Sequence, residues 1–190
     1  MYVKVCGITS PKDAESAVAA GADAIGIILF TDSKRSVTLR RAEAILKAVS
    51  GKVETVCVTT TRCPADISSI CRLCPDAIQT YHDHTIPDRF VSISGWDGIT
   101  LPTDAADCLL LDASHGRGIP LNVHHAKAAI AKTKLPVILS GGLTPSSVGD
   151  VIRSVGPAGV DVSSGVEIRP GVKDLNQVKA FISACRGEYP

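Results

Sequence analysis

Two stretches near the carboxyl end decide the fold: LSGGLTPSSV at residues 139–148 and VDVSSGVE at residues 160–167. Each is a short apolar run that ends in small residues, as expected where a buried strand turns into a loop. Glycine adopts positive φ without strain, and small residues let successive backbone N–H groups face one point. We call residues 141–142 the glycine corner and residues 163–165 the serine corner. The residues of the two corners are Gly141, Gly142, Ser163, Ser164 and Gly165.

Two such corners side by side form an anion site, and their backbone N–H groups suit a phosphate. In (β/α)8 barrels, a phosphate site of this kind lies in the loops after strands 7 and 8. Thr144 and Pro145 follow the glycine corner as an N-cap and a first helical residue, which predicts a helix directly behind it. The two stretches therefore predict the last two units of a barrel, with six more strands upstream.

The rest of the chain alternates apolar runs with amphipathic segments, as parallel βα units do. The predicted strands cover residues 2–6, 24–30, 53–58, 76–79, 90–94, 108–111, 136–139 and 158–162. The predicted helices cover residues 11–20, 39–49, 64–73, 122–133, 145–154 and 174–185. We therefore predict an α/β protein, a single (β/α)8 TIM barrel with abbreviated crossovers after strands 4 and 5. An open, doubly wound sheet is the alternative. We favour the barrel because two phosphate-type corners in successive final units are typical of it.

The composition supports one barrel domain spanning residues 1–190. Hydrophobic residues make up 45% of the chain and aromatic residues 4%, a mixture suited to a parallel sheet wrapped by helices. The formal net charge is +1, so no nucleic-acid partner is expected. No apolar run is long enough to cross a membrane, and residues 1–9 lack the anatomy of a signal peptide. We expect a cytoplasmic protein that acts on a small molecule, without a nucleic-acid or membrane partner.

The seven cysteines are an odd number at irregular spacing, which argues against a disulfide framework. Cys71 and Cys74 form a C-x2-C pair, with Cys63 and Cys57 upstream. Such a pair can hold zinc when a second close pair or matching histidines complete the ligand set. Free cysteine is among the most buried residue types, so we favour packed thiols and predict no metal site. A metal-binding protein is the alternative.

Reactive side chains lie at strand ends, where barrels carry their chemistry. Lys4 and Cys6 alternate with valines, so both are expected to face the barrel interior. A nearby cation lowers the pKa of a thiol, and a thiolate can act as a base; a packing cysteine is the alternative reading. Asp112 ends strand six, where a carboxylate is costly unless it is paired or used; a cap of the next loop is the alternative. Asp161 is better explained by a buried pair with Lys4. Arg35 follows strand two and is able to clamp a carboxylate, although loop arginines are more often solvated.

With these residues in view, the chain resembles the phosphoribosylanthranilate isomerase family of tryptophan biosynthesis. The likeness spans nearly the whole chain. It rests on VKVCGIT at 3–9, GADAIGIILF at 21–30 with the following SKR, LLLD at 109–112, LSGGLTPSSV at 139–148, and GVDVSSGVE at 159–167 with PGVKD. Together these motifs are specific, whereas a single glycine pair is not.

The resemblance implies a role for each candidate residue. Cys6 would be the general base, Asp112 the general acid, and Arg35 the residue that holds the anthranilate carboxylate. The substrate phosphate would be held by both corners, that is by Gly141, Gly142, Ser163, Ser164 and Gly165. The implied reaction is an Amadori rearrangement, the intramolecular redox reaction of an aldose–ketose isomerase, which needs no cofactor. It converts N-(5-phosphoribosyl)anthranilate to 1-(carboxyphenylamino)-1-deoxyribulose 5-phosphate.

The fourth strand departs from the family pattern. Residues 78–82 read IQTYH where the family has a VQLHG-like sequence, and we assign no role to His82. Two other functions compete with this one. The sister isomerase of histidine biosynthesis resembles two fused half-barrels with an aspartate at strand one, so Cys6 and the lack of an internal half-repeat argue against it. A non-catalytic binding barrel is the rival of another class.

Overall fold

The computed structural model describes residues 1–102, 106–112 and 122–187, and a closed barrel of eight parallel strands forms its centre. The strands are β1 (Tyr2–Val5), β2 (Ala24–Ile28), β3 (Glu54–Val58), β4 (Ala77–Thr80), β5 (Val91–Trp96), β6 (Cys108–Leu111), β7 (Val137–Leu139) and β8 (Gly159–Val162). Each strand pairs with its neighbours in chain order, and β8 pairs in parallel with β1 to close the cylinder. The predicted barrel is confirmed, and the open sheet is excluded.

The described residues form six α-helices, which cover the barrel. They are α1 (Pro11–Ala19), α2 (Leu39–Ala48), α3 (Pro64–Arg72), α4 (Val123–Ile130), α5 (Val148–Val155) and α6 (Leu175–Arg186). Among the described residues, no helix lies between β4 and β5 or between β5 and β6, in agreement with the abbreviated crossovers predicted there. None of the helices that the structure describes is long and apolar enough to span a bilayer.

Helix starts follow the capping residues in most units. The Ser10 hydroxyl accepts a hydrogen bond of 3.1 Å from the Asp13 N–H at the start of α1, as expected for an N-cap serine. The helix α5 begins later than predicted, at Val148. Thr144 and Ser147 first close a turn, in which the Thr144 N–H donates to the Ser147 hydroxyl over 3.0 Å. The predicted cap therefore starts a turn, and the helix follows it.

The core has two layers, because successive side chains of each strand point to opposite faces of the sheet. Val3 and Val5 are fully buried and belong to the layer between the sheet and the helices. Cys6 belongs to the layer inside the barrel, where the fully buried Lys4 contacts side chains from β4 and β8. The predicted inward direction of Lys4 and Cys6 is confirmed.

Loops cover the barrel at β5, where the structure describes no helix on either side of the strand. Phe90 and Trp96 are 5% and 2% exposed and pack into the outer layer of the core. Ile86, from the loop after β4, packs partly against the same layer. The outward positions of β5 between them are Ser92 and Ser94, both buried. These small side chains let the loops approach the strand closely enough to cover it.

A short hairpin precedes α6 and was not predicted. Its strands are β9 (Glu167–Arg169) and β10 (Val172–Lys173), which pair antiparallel. Gly171 joins them with φ of +82°, a backbone conformation that favours glycine. The Thr9 hydroxyl, in the loop after β1, donates a hydrogen bond of 2.5 Å to the Gly171 carbonyl. The hairpin is thereby fixed over the mouth of the barrel.

Candidate active site

The carboxyl ends of the strands surround a cavity of about 570 Å³, which we call the mouth cavity. Its wall includes Cys6, Arg35 and Asp112, which lie far apart in the sequence. This is the end of a barrel where enzymes of this fold carry their active sites. A cavity of similar size, about 580 Å³, lies outside the barrel between α3 and the loop after β4. None of the predicted site residues lines that outer cavity. We therefore assign the candidate active site to the mouth cavity.

A small recess of about 40 Å³ adjoins the mouth cavity. The residues of both corners line it: Gly141, Gly142, Ser163, Ser164 and Gly165. The two glycines have φ of +103° and +61°, conformations that suit glycine and turn backbone N–H groups toward one point. The Ser163 hydroxyl is buried without a hydrogen-bond partner among the described residues. We call this the anion recess, because an unsatisfied buried hydroxyl beside a backbone corner suits an oxyanion ligand.

Gly165 is required by the close approach of the two corners. A Cβ at this position would overlap the backbone carbonyl of Leu143, which directly follows the glycine corner. Overlap with backbone atoms cannot be relieved by rotation of a side chain. The absence of a side chain at Gly165 therefore sets the distance between the corners.

Cys6 directly follows β1 and faces the mouth cavity, with 6% of the residue exposed. Gly26 on β2 gives the sulfur room, since a Cβ there would lie 2.7 Å from Sγ. Burial raises the pKa of the Cys6 thiol above its ordinary value, while Lys4 and Lys173 lower it in part and Asp161 adds to the increase. The expected effect of Lys4 is present, but burial outweighs it. The direction of the pKa shift that we predicted from the sequence was wrong.

Lys4 and Asp161 form the predicted buried ion pair of 2.7 Å, and they lie opposite each other in the register of β1 and β8. Lys4 also donates a hydrogen bond of 3.0 Å to the Gln79 side-chain oxygen, and the Ser140 hydroxyl donates one of 3.1 Å to Asp161. Burial by itself lowers the pKa of Lys4, but Asp161 and Cys6 outweigh it, so that the pKa lies above the ordinary value. Lys4 therefore stays charged close to the Cys6 sulfur.

Asp112 follows β6 with 3% of the residue exposed. Its backbone N–H donates a hydrogen bond of 2.9 Å to the Trp96 carbonyl, which fixes the residue against the end of β5. The side chain lines both the mouth cavity and the anion recess. The structure thus places a carboxyl group on the wall that the two spaces share, in the same cavity as the thiol of Cys6.

Arg35, in the loop after β2, holds Glu167 of the hairpin through its Nε and Nη2 atoms, with N···O distances of 2.7–3.1 Å. Lys173 donates to the same carboxylate over 3.0 Å and to the Ser163 carbonyl over 3.2 Å. Burial alone would raise the pKa of Glu167, but Arg35 and Lys173 bring it below the ordinary value. The network connects Arg35 to the serine corner through Glu167 and Lys173. The contacts of Arg35 with Glu167 use its Nε and Nη2 atoms and do not use Nη1.

Sequence reasoning missed Glu167 and Lys173, although both lie in motifs that we quoted. The hairpin that brings them together consists of two very short strands, which periodicity does not detect. Sequence reasoning also assigned no role to Tyr81, which lines the mouth cavity next to His82. An acid and a lysine six residues apart, on either side of Pro170-Gly171, were the available signal.

The cysteines outside the mouth cavity are packing or surface residues. All seven cysteines of the chain are free thiols, with Cys57 and Cys71 buried and Cys63 and Cys74 exposed. Burial raises the pKa of the Cys57 thiol to about 12, so it stays protonated near neutral pH. Within the described part of the chain, no three His, Cys, Asp or Glu side chains are placed to hold a metal ion.

Comparison with known proteins gives one answer. Residues 3–184 match the sequence model of N-(5'phosphoribosyl)anthranilate (PRA) isomerase. N-(5'-phosphoribosyl)anthranilate isomerase of Methanoregula boonei is 41% identical over 98% of this chain and 97% of its own length. The enzyme of the same name from Geobacter sulfurreducens is 39% identical, over 97% of this chain and 98% of its own length.

Solved structures agree. Phosphoribosyl anthranilate isomerase from Thermus thermophilus superimposes with a TM-score of 0.88 at 29% identity, covering 100% of both chains. A phosphoribosyl anthranilate isomerase in complex with reduced 1-(o-carboxyphenylamino)-1-deoxyribulose 5-phosphate superimposes with a TM-score of 0.82 at 28% identity, covering 98% of this chain and 99% of that one. Because sequence and structure match over nearly the full length, and a thiol, a carboxyl and an anion recess meet at the barrel mouth, the chain belongs to the N-(5'-phosphoribosyl)anthranilate isomerase family.

Proposed function

We propose that this isomerase works with Cys6 as the general base and Asp112 as the general acid. The observation that carries the proposal is that both side chains lie on the wall of one cavity, beside a recess built for an anion. The substrate has a phosphate at one end and a carboxylate at the other, and its reacting ribosyl carbons lie between them. The proposal treats residues 1–190 as the single barrel domain predicted from the sequence.

The reaction needs one proton donor and one proton acceptor at the same time. Asp112, carrying its proton, donates it to the ribose ring oxygen as the bond from C1′ to that oxygen breaks, and the nitrogen lone pair forms the C1′=N imine cation. The Cys6 thiolate then removes the proton from C2′, and the electron pair moves into a C1′=C2′ double bond. The resulting enolamine tautomerises to the C2′ ketone. No oxidant or reductant enters, since C1′ is reduced as C2′ is oxidised.

The charges around the thiol suit this sequence of steps. Burial raises the pKa of the Cys6 thiol, so that a minor fraction of the free enzyme has lost this proton to solvent, and Lys4 and Lys173 increase that fraction by lowering the pKa in part. The imine cation adds a further positive charge next to the sulfur after the ring opens. The thiolate is therefore favoured at the point where C2′ loses its proton.

Binding of the two ends of the substrate positions the ribosyl group. The anion recess takes the phosphate, and the Nη1 side of Arg35 takes the carboxylate while its other nitrogens hold Glu167. The solved relative that binds reduced 1-(o-carboxyphenylamino)-1-deoxyribulose 5-phosphate supports this assignment, because that compound has the same two charged ends. Remote binding energy of this kind holds the reacting atoms near the acid and the base. The cytoplasm is the proposed location, given seven cysteines at spacings that suit a reducing compartment.

Turnover of the anthranilate substrate tests the proposed function directly. Addition of the purified protein to N-(5-phosphoribosyl)anthranilate should cause a loss of anthranilate-type fluorescence that is proportional to enzyme concentration. Absence of any loss with well-folded protein would refute the proposed function.

Replacement of Arg35 by alanine should mainly weaken binding of the substrate. Loss of charged hydrogen bonds to the carboxylate should raise KM by roughly 10–100-fold, with a smaller effect on kcat. The fold should persist, because Lys173 still neutralises Glu167. Steady-state kinetics measure the effect, with Arg41→Ala on the exposed start of α2 as the matched control. An unchanged KM in the Arg35 variant would exclude its contact with the carboxylate.

Gly165→Ala should separate the two corners and weaken binding of the phosphate. The new Cβ displaces the Leu143 carbonyl, so hydrogen bonds to a charged group are lost and KM should rise by roughly tenfold or more. Calorimetric titration with inorganic phosphate provides an independent measure. Gly51→Ala is the control, because φ there is +69° but a Cβ meets nothing within 4 Å; it should cost stability without changing KM. Equal KM values for both variants would contradict the role of the recess.

A further inference from the structure

The orientation of the Gln79 side chain is fixed by a partner that can only donate. Lys4 donates to the Gln79 Oε1 atom over 3.0 Å, and an ammonium group has no acceptor. The amide nitrogen must therefore point the other way, where it lies 3.1 Å from the Tyr81 phenol oxygen. A continuous chain of hydrogen bonds runs from Asp161 through Lys4 and Gln79 to Tyr81.

This chain sets the hydrogen-bonding role of the Tyr81 oxygen. The phenol oxygen accepts the hydrogen bond from Gln79, so its own proton does not point toward Gln79. Burial raises the pKa of Tyr81 well above the ordinary value, and its interactions with Asp112, Cys6 and Asp161 raise the pKa further. The phenol is therefore a neutral donor over the working pH range, and it lies close to both groups of the proposed acid–base pair.

The ring of Tyr81 is held in place from the neighbouring strand. A Cβ at Gly95 on β5 would overlap the ring atoms Cδ1 and Cε1, so the ring lies directly on the β5 backbone. The ring packs against β5, and the hydroxyl accepts the hydrogen bond from Gln79. These two contacts hold the hydroxyl at one position on the wall of the mouth cavity. A fixed donor costs little entropy when a ligand binds to it.

We propose that Tyr81 is a substrate-contacting residue of this isomerase, whose hydroxyl donates a hydrogen bond to a ribosyl oxygen of the substrate between Cys6 and Asp112. The inference rests on the proposed function and deepens it. The ribosyl part of the substrate carries hydroxyl and ring oxygens that accept such a bond at every stage of the reaction. Because the Tyr81 phenol stays neutral, it does not compete with Cys6 and Asp112 for the transferred protons.

Tyr81→Phe tests the inference, because it removes the hydroxyl and keeps the ring against Gly95. We expect kcat/KM to fall by about tenfold, the effect of losing one buried hydrogen bond, with no change in the shape of the pH profile. Tyr2→Phe is the matched control: it also removes a phenol that donates a hydrogen bond, here to Glu54 over 3.1 Å, but at the opposite end of the barrel. That variant should keep the kcat/KM of the parent enzyme.

The inference is overturned if Tyr81→Phe retains full kcat/KM, or if it loses one limb of the pH profile. Thermal melting of each variant identifies a folding defect, and parent activity is measured in parallel. An inactive parent enzyme would refute the proposed function, whereas an active parent with an equally active Tyr81→Phe variant would refute only this inference.

Discussion

Replacing Cys6 by serine should lower kcat/KM by a factor of about 10²–10⁴, the usual contribution of a positioned general base. The serine hydroxyl is a much weaker acid than a thiol, so the variant has almost no anionic base at any pH where the protein is folded. Lys4 and Lys173, which favour the thiolate in the parent enzyme, cannot ionise an alcohol to a useful extent. Steady-state kinetics with the anthranilate substrate measure the loss.

Cys185→Ser provides a matched control for this variant. Both cysteines are 6% exposed, but Cys185 lies on α6 in the outer layer of the core, away from the mouth cavity. A buried hydroxyl should cost stability in both variants, whereas only the Cys6 variant should lose turnover. If Cys6→Ser keeps parental kcat/KM, another group removes the C2′ proton and the proposed role of Cys6 is wrong.

The parts of the fold that depend on local pattern were predictable. Glycines 141 and 142 and the small residues 163–165 define two strand ends without any knowledge of tertiary contacts. The pairing of Lys4 with Asp161 follows from strand alternation and from the closure of β8 onto β1. In each case the sequence determines on which face of the sheet a side chain lies, and the barrel topology then brings the faces together.

The parts that depend on burial and on distant contacts were not predictable. The pKa of Cys6 rises because of how much protein surrounds the sulfur, a quantity that no neighbouring residue in the sequence encodes. Arg35 and Glu167 are 132 positions apart, and they meet through a hairpin too short to leave a periodic signal. The position of Tyr81 is set by a missing side chain on the next strand, at Gly95.

Asp112→Asn should likewise lower kcat/KM by about 10²–10⁴, because the amide cannot give a proton to the ribose ring oxygen. The side chain keeps its size, and the backbone hydrogen bond to Trp96 does not depend on it, so the fold should be unchanged. Asp107→Asn is the control at the other end of β6: Asp107 accepts a hydrogen bond of 2.9 Å from the Ser92 N–H, and asparagine retains an acceptor oxygen. That variant should keep parental turnover, and full activity of Asp112→Asn would exclude the carboxyl as the acid.

The residual activity of Asp112→Asn should depend on pH in a way that identifies the base. In the variant the proposed general acid is absent at every pH. The change of its kcat/KM with pH therefore reports the base, which we propose to be the Cys6 thiol. Because burial raises the pKa of Cys6, the thiolate fraction below that pKa grows by about tenfold per pH unit. The residual kcat/KM of Asp112→Asn should therefore climb steeply through neutral pH. A flat profile in the variant would mean that the group removing the C2′ proton does not titrate there, and the thiol could not be that group.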